Sequence, residues 1–90
     1  MIQSKYQALE HHLKSQERSR REITLSFAEI EALIGQPLPR SAYTYREWWS
    51  NQINVSNRPQ AKAWIGAGFE VDTVQQRQDS GVVRFRRRRT

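Results

Sequence analysis

The chain contains no cysteine. Disulfides and thiolate metal sites are therefore excluded, and a reducing compartment fits that composition. Long apolar runs are missing too. Nothing approaches the roughly 20 residues that a membrane-spanning helix needs, and the first stretch, MIQSKYQALEHHLK, lacks the apolar centre of a signal peptide. A cytoplasmic location is expected. Hydrophobic residues are scarce, at 37% of 90, in a chain with room for only one core. Its three Trp, three Tyr and three Phe must therefore carry much of the stability.

The equipment of catalysis is equally thin. There is no glycine-rich phosphate loop. The two histidines, His11 and His12, are adjacent, which is not the i, i+4 spacing of a metal pair. Glu29 and Glu31 flank one helical residue and point apart, so they do not form an acid–base pair. Glu47, Glu70 and Asp72 are scattered. No enzyme, no metal and no cofactor is the expectation.

What the chain does have is positive charge, at +6 net, unevenly placed. Residues 1–21 carry five Lys or Arg against two Glu, residues 22–57 two against four, and residues 58–90 eight against three acids. Two basic ends flank an acidic middle. This predicts two basic surfaces, or one that folding assembles, and the obvious polyanion is nucleic acid.

Residues 2–17 read as an amphipathic helix, with Ile2, Tyr6, Leu9 and Leu13 on one face. QERSRRE is a charged linker. In EITLSF, Ile23, Leu25 and Phe27 alternate with polar residues, which predicts a half-buried strand. Ser26 and Glu29 make a capping box for a helix whose apolar face is Phe27, Ile30, Leu33 and Ile34, and Gly35 stops it. Ser41 or Thr44 starts the next element, with Thr44 and Glu47 a second possible box. Residues 58–67 form a further helix, with Asn57 and Gln60 as its cap and Ala61, Trp64 and Ile65 inward. The end is a hairpin. Phe69, Val71 and Thr73 share a face on one strand, QDSG is the turn, and Val83 and Phe85 oppose Arg84, Arg86 and Arg88 on the return. The fold class expected is a small α+β domain over 1–90, winged-helix-like, with 1–21 a helix and basic linker and 22–88 the core. In that architecture the helix before the hairpin faces DNA and the hairpin is the wing.

A family resemblance rests on F-x-E-I-E-x-x-I-G-x-x-L-P-x-S-A, then W-W-x-N, A-x-A-W-x-x-A-G and a closing V-x-F-x-R. These are Phe27 to Ala42, Trp48 to Asn51, Ala61 to Gly68 and Val83 to Arg87. The segment 26–88 resembles a small bacterial domain family of unknown function. The resemblance implies a cytosolic bacterial or phage-related domain, found alone or beside others, some nuclease-like, and it brings no activity.

Candidate binding residues follow from chemistry. Arg40, Ser41, Tyr43 and Arg46 cluster at a turn, with donors for phosphate or guanine; equally, Ser41 caps a helix and Arg46 pairs with Glu31 or Glu47. Neighbouring Trp48 and Trp49 point apart, so one anchors the core while the other, near Asn51, stacks a base or anchors a protein. Arg58, Gln60 and Lys62 stand where a recognition helix would read bases, and Arg84, Arg86 and Arg88 where a wing would meet phosphate. The expected function is nucleic-acid binding, DNA before RNA. The alternative is a small phage or mobile-element protein that binds and inhibits a host protein complex.

Overall fold

The computed structural model describes residues 5–52 and 58–88. In order the elements are α1 (Gln7–Lys14), β1 (Glu22–Ser26), α2 (Phe27–Ile34), α3 (Arg40–Thr44), a 3₁₀ turn (Arg46–Trp49), α4 (Pro59–Gly66), β2 (Phe69–Gln76) and β3 (Gly81–Arg87). The strands form one antiparallel sheet in the order β1-β3-β2. The mixed α+β class with a terminal hairpin is as the residue pattern predicts. No helix among the described residues is long and apolar enough to cross a membrane. Ile2 and the Asn57 cap lie outside the described residues.

The best-signalled boundary forms as its chemistry requires. The Ser26 hydroxyl accepts from the Glu29 N–H at 3.0 Å, and the Glu29 carboxylate accepts from the Ser26 N–H at 2.8 Å. Gly35 ends α2 in the left-handed region, at φ 76°. Phe27 continues the inward face of Ile23 and Leu25 even though it opens the helix.

Two expectations are corrected. The element after the Pro37–Pro39 turn begins at Arg40, not Thr44. Thr44 ends α3, where its hydroxyl donates to the Arg40 carbonyl, and Glu47 belongs to the separate 3₁₀ turn. Neither Ser41 nor Thr44 caps a helix; Pro39 occupies that place. In β2 the register slips between Val71 and Thr73. The extra residue reverses the alternation, so Thr73 is exposed and Val74 is buried.

The core is built on rings. Trp49 stacks between Phe27 (centroids 5.0 Å) and Trp64 (5.6 Å), and Trp64 tilts onto Phe85 at 5.6 Å. Both tryptophan N–H groups find acceptors: Trp49 donates to the Ala42 carbonyl at 2.9 Å and Trp64 to Asn51 Oδ1 at 3.0 Å. Leu9 and Leu13 of α1, with Tyr6, close the far side.

Gly81 opens β3 where the Phe27 ring passes; a Cβ there would overlap the edge of that ring. Because that ring is fully buried and stacked, it has nowhere to go. Gly81→Ala is expected to cost about 2 kcal/mol or more, read as a lowered denaturation midpoint with an unchanged denaturant slope.

Candidate functional site

The expected basic stripe of the hairpin is present in position but not in charge. Arg84, Arg86 and Arg88 do share the outer face of the sheet, opposite Val83 and Phe85. They meet carboxylates there. Arg84 pairs with Asp72 at 2.9 Å, Arg86 with Glu70 at 2.7 Å and with Asp72 at 3.4 Å, and Arg88 approaches Glu70 at 3.9 Å. The bulge in β2 puts Asp72 within reach of both Arg84 and Arg86. Glu22 stands opposite Arg86 on β1. The hydrogen bond that Arg86 donates to Glu70, then the charges of Asp72, Glu70 and Glu22, hold its guanidinium charged even more firmly than usual. Three arginines thus face three carboxylates, and the stripe is close to neutral. Each pair is exposed and adds little stability, but a polyanion must displace it.

The start of α4 is also spoken for. The Arg58 guanidinium donates to the Glu47 and Trp48 carbonyls and so closes the C-terminal end of the 3₁₀ turn. Gln60 is buried, and its amide donates to the same Trp48 carbonyl at 3.3 Å. Gln60 is therefore unavailable to read a base. Lys62 remains exposed on this helix.

Asn51 is exposed, yet it is a structural clasp. Its Oδ1 accepts from Trp64 Nε1 and from the Val71 N–H at 2.8 Å, while its Nδ2 donates to the Val71 carbonyl at 3.1 Å. One side-chain amide thus pairs both outward backbone groups of Val71, as a neighbouring strand would. Arg46 donates to the Val74 carbonyl at 3.4 Å. Together they cover the outer edge of β2.

The paired tryptophans divide unevenly. Trp49 is buried. Trp48 is half-buried, edge-on to Trp49 at 4.7 Å and to Tyr6 at 5.9 Å. Neither offers a bare ring. Tyr43 also turns inward: its hydroxyl donates to Glu31 Oε2 at 2.8 Å, and the same oxygen accepts from the Leu38 N–H at 2.8 Å. Glu31 is thus taken, and Arg46 does not pair with it. Burial, then the bond and charge of Glu31, push the Tyr43 phenol up to about 12. Arg40 donates to the Gln78 carbonyl at 3.4 Å, and Ser41 is half-buried.

Two features were not singled out from sequence. Tyr45 is 60% exposed, and charge alone gave no reason to choose it over Tyr43. The other is the meeting of the chain's two basic segments. The Arg87 N–H donates to the Arg21 carbonyl at 2.8 Å, and its guanidinium donates to the Arg20 carbonyl at 3.0 Å and the Glu17 carbonyl at 2.9 Å. The guanidinium also lies over the Phe69 ring, 4.5 Å from its centroid. This joins the 17–21 linker to the end of β3. Arg18, Arg20, Arg21, Arg86, Arg87 and Arg88 gather at one end of the sheet, with Glu17, Glu22, Glu70 and Asp72 the acids there. A polar hollow of about 490 Å³ lined by Glu70, Arg86, Arg87 and Arg88 lies among them. Arg18, Arg20, Arg21 and Arg87 have no carboxylate within ion-pair distance among the described residues. No group of three or more His, Asp or Glu able to hold a metal occurs among those residues.

Asn51→Ala strips partners from the Trp64 and Val71 N–H groups. It is expected to destabilise by about 2 kcal/mol despite the exposure of Asn51, whereas Gln52→Ala next to it changes little; chemical denaturation reads both. Tyr43 gives a pH signature. Its phenol ionises at about 12 in the folded chain against the ordinary 10.0. The stability this contributes is complete below pH 10 and is lost as pH rises through that window. Denaturation midpoints of Tyr43→Phe should fall less steeply across it than those of the parent chain.

The family model for a Domain of unknown function (DUF7662) matches residues 6–88. The chain belongs to that family. No curated protein and no solved structure matches it.

Proposed function

We propose that this member of the family binds nucleic acid, DNA first, through the arginine end of its sheet. The observation that carries the reading is the junction made by Arg87, which brings the basic segments from both ends of the chain onto one surface. A charge pattern that was split along the chain becomes a single patch. The chain as a whole is also strongly basic, as polyanion binders are. Guanidinium groups bonded only to neutral carbonyls, such as Arg87, keep both their charge and spare donors for phosphate.

The element order and the β1-β3-β2 sheet agree with a winged-helix plan, and that likeness is analogy only. Within it the contact surface shifts from the expected one. The paired arginines of the hairpin and the engaged start of α4 contribute less than the 18–21 linker and the end of β3. A cytoplasmic place of work and a bacterial or phage setting belong to the same reading.

A protein partner is the second reading, and one observation favours it. The Arg87–Arg21 bond sets the ladder so that Ile23 and Leu25 bond to β3, while Thr24 turns its N–H and C=O outward. Those groups have no protein partner among the described residues. Beside them lies an apolar groove of about 310 Å³ lined by His12, Leu25, Glu29, Ala32 and Leu33. An extended segment of another protein could add a strand there, which is the form in which inhibition of a host complex would fit this surface.

The experiment is a titration of labelled duplex DNA, single-stranded DNA and RNA across low and moderate salt. Affinity should fall steeply as salt rises, with a slope near 0.9 per phosphate contact for duplex. The triple change Arg18→Glu, Arg21→Glu and Arg88→Glu should weaken binding about tenfold or more and flatten the slope. Absence of binding to all three nucleic acids at low salt would sink the reading and leave the β1 edge as the surface to pursue.

A further inference from the structure

Nine aromatic rings serve this chain, and eight of them turn inward. Tyr6, Phe27, Trp49, Trp64, Phe69 and Phe85 are buried, and Tyr43 and Trp48 are partly buried against the same core. Tyr45 alone stands out, at 60% exposure. In a protein so short of apolar residues, a large ring left in water contributes little to folding.

The backbone beneath that ring is held on both sides. The Tyr45 N–H donates to the Ser41 carbonyl at 2.9 Å. Its carbonyl accepts from the Trp48 N–H at 3.2 Å and from Gln76 Nε2 at 2.9 Å. Tyr45 lies at the junction of α3 and the 3₁₀ turn, extended at φ −117° and ψ 126°. A ring so mounted has its backbone root fixed before any ligand arrives, so only the side-chain rotamers remain to be ordered on binding.

Guanidiniums lie on both sides of it in the chain. Arg40 reaches the Gln78 carbonyl and Arg46 the Val74 carbonyl, each through one long bond of 3.4 Å. Neither has a carboxylate within ion-pair distance among the described residues, and the other donors of each fork are spare. The acids of this region are Glu47 on the 3₁₀ turn and Asp79 at the hairpin turn; Glu31 is occupied by Tyr43 and Leu38.

Resting on the nucleic-acid reading above, we infer that Tyr45 stacks an unpaired nucleobase while Arg40 and Arg46 hold the adjoining phosphates, so that the partner is a single strand. A base inside a duplex has no free face to offer a tyrosine ring; an unpaired base has one, whatever its identity. The neutral arginine face of the hairpin agrees, since it offers a duplex groove little net charge. The Tyr45 segment flanks the Val74–Gln78 end of the hairpin, and the arginine patch lies at the other end of the same sheet. The seven steps of β2 from Phe69 to Gln76 separate them, about 23 Å at 3.3 Å per step, a length that an extended strand of several nucleotides covers.

The test uses the full chain and three labelled probes: oligothymidylate, an abasic deoxyribose-phosphate strand of equal length, and a duplex. The parent chain should bind oligothymidylate about tenfold more tightly than the abasic strand. Tyr45→Ala should erase that preference, and Tyr45→Trp should keep it. Because the side chain is exposed, both variants should melt with the parent, which circular dichroism checks. The triple glutamate variant should weaken the two strands alike. Equal binding of oligothymidylate and the abasic strand by the parent, an unchanged preference in Tyr45→Ala, or tighter binding of duplex than of either strand would overturn stacking while leaving polyanion binding in place. Failure of the parent to bind any probe at low salt overturns both.

Discussion

Trp49, clamped between Phe27 and Trp64, is the contact on which the other elements depend. The three rings come from α2, the 3₁₀ turn and α4, and Phe85 extends the series onto the sheet. A chain of this size with few aliphatic residues cannot fill a core with leucine and isoleucine alone. Large flat rings provide area, and stacking fixes their angles. The stack then dictates local choices around it. Position 81 has space only for a hydrogen atom where Phe27 passes. The indole N–H groups must find acceptors, and the Ala42 carbonyl and Asn51 supply them.

Most residues that carry the family resemblance are explained by this architecture. Glu29 closes a capping box, Glu31 ties Leu38 and Tyr43 to α2, Gly35 takes a left-handed conformation, and Asn51 imitates a strand against Val71. A motif can thus be detailed without marking a binding site. The surface proposed for a partner is built mostly from residues between the motif positions, or outside them: Arg18, Arg20, Arg21, Arg88 and Tyr45. The residues that build the fold and the proposed contact residues are thus largely different, Arg87 serving as both, which is why recognising the family leaves the task of the protein open.

Electrostatics changes most between chain and fold. Read along the chain, 84–88 holds four basic side chains in five and 69–72 is a weak acidic stretch. Antiparallel pairing lays one across the other, and Glu70 and Asp72 meet Arg84 and Arg86. Pairing of β3 with β1 on its other edge carries Arg87 to the 17–21 linker. Charge is lost from one surface and concentrated on another without any change in the total.

By itself the sequence determined the features whose physics is local. The Ser26–Glu29 box, the Gly35 stop, the alternation of β1 and the inward face of β3 all depend on side chains within a turn or two of one another, so their period reveals them. The tertiary structure alone decided the rest. Tyr43 and Tyr45 have the same side chain two positions apart, and the approach of Glu31 and of the Phe27 ring turns one inward and leaves the other in water. Gln60 and Arg58 resemble the polar start of a recognition helix until the carbonyls at the end of the 3₁₀ turn claim their donors. The bulge at Asp72 leaves no trace in the alternation before it, because it answers to the neighbouring strand. Contacts between residues far apart in the chain have no period to read. They follow from which surfaces the stacked rings bring together.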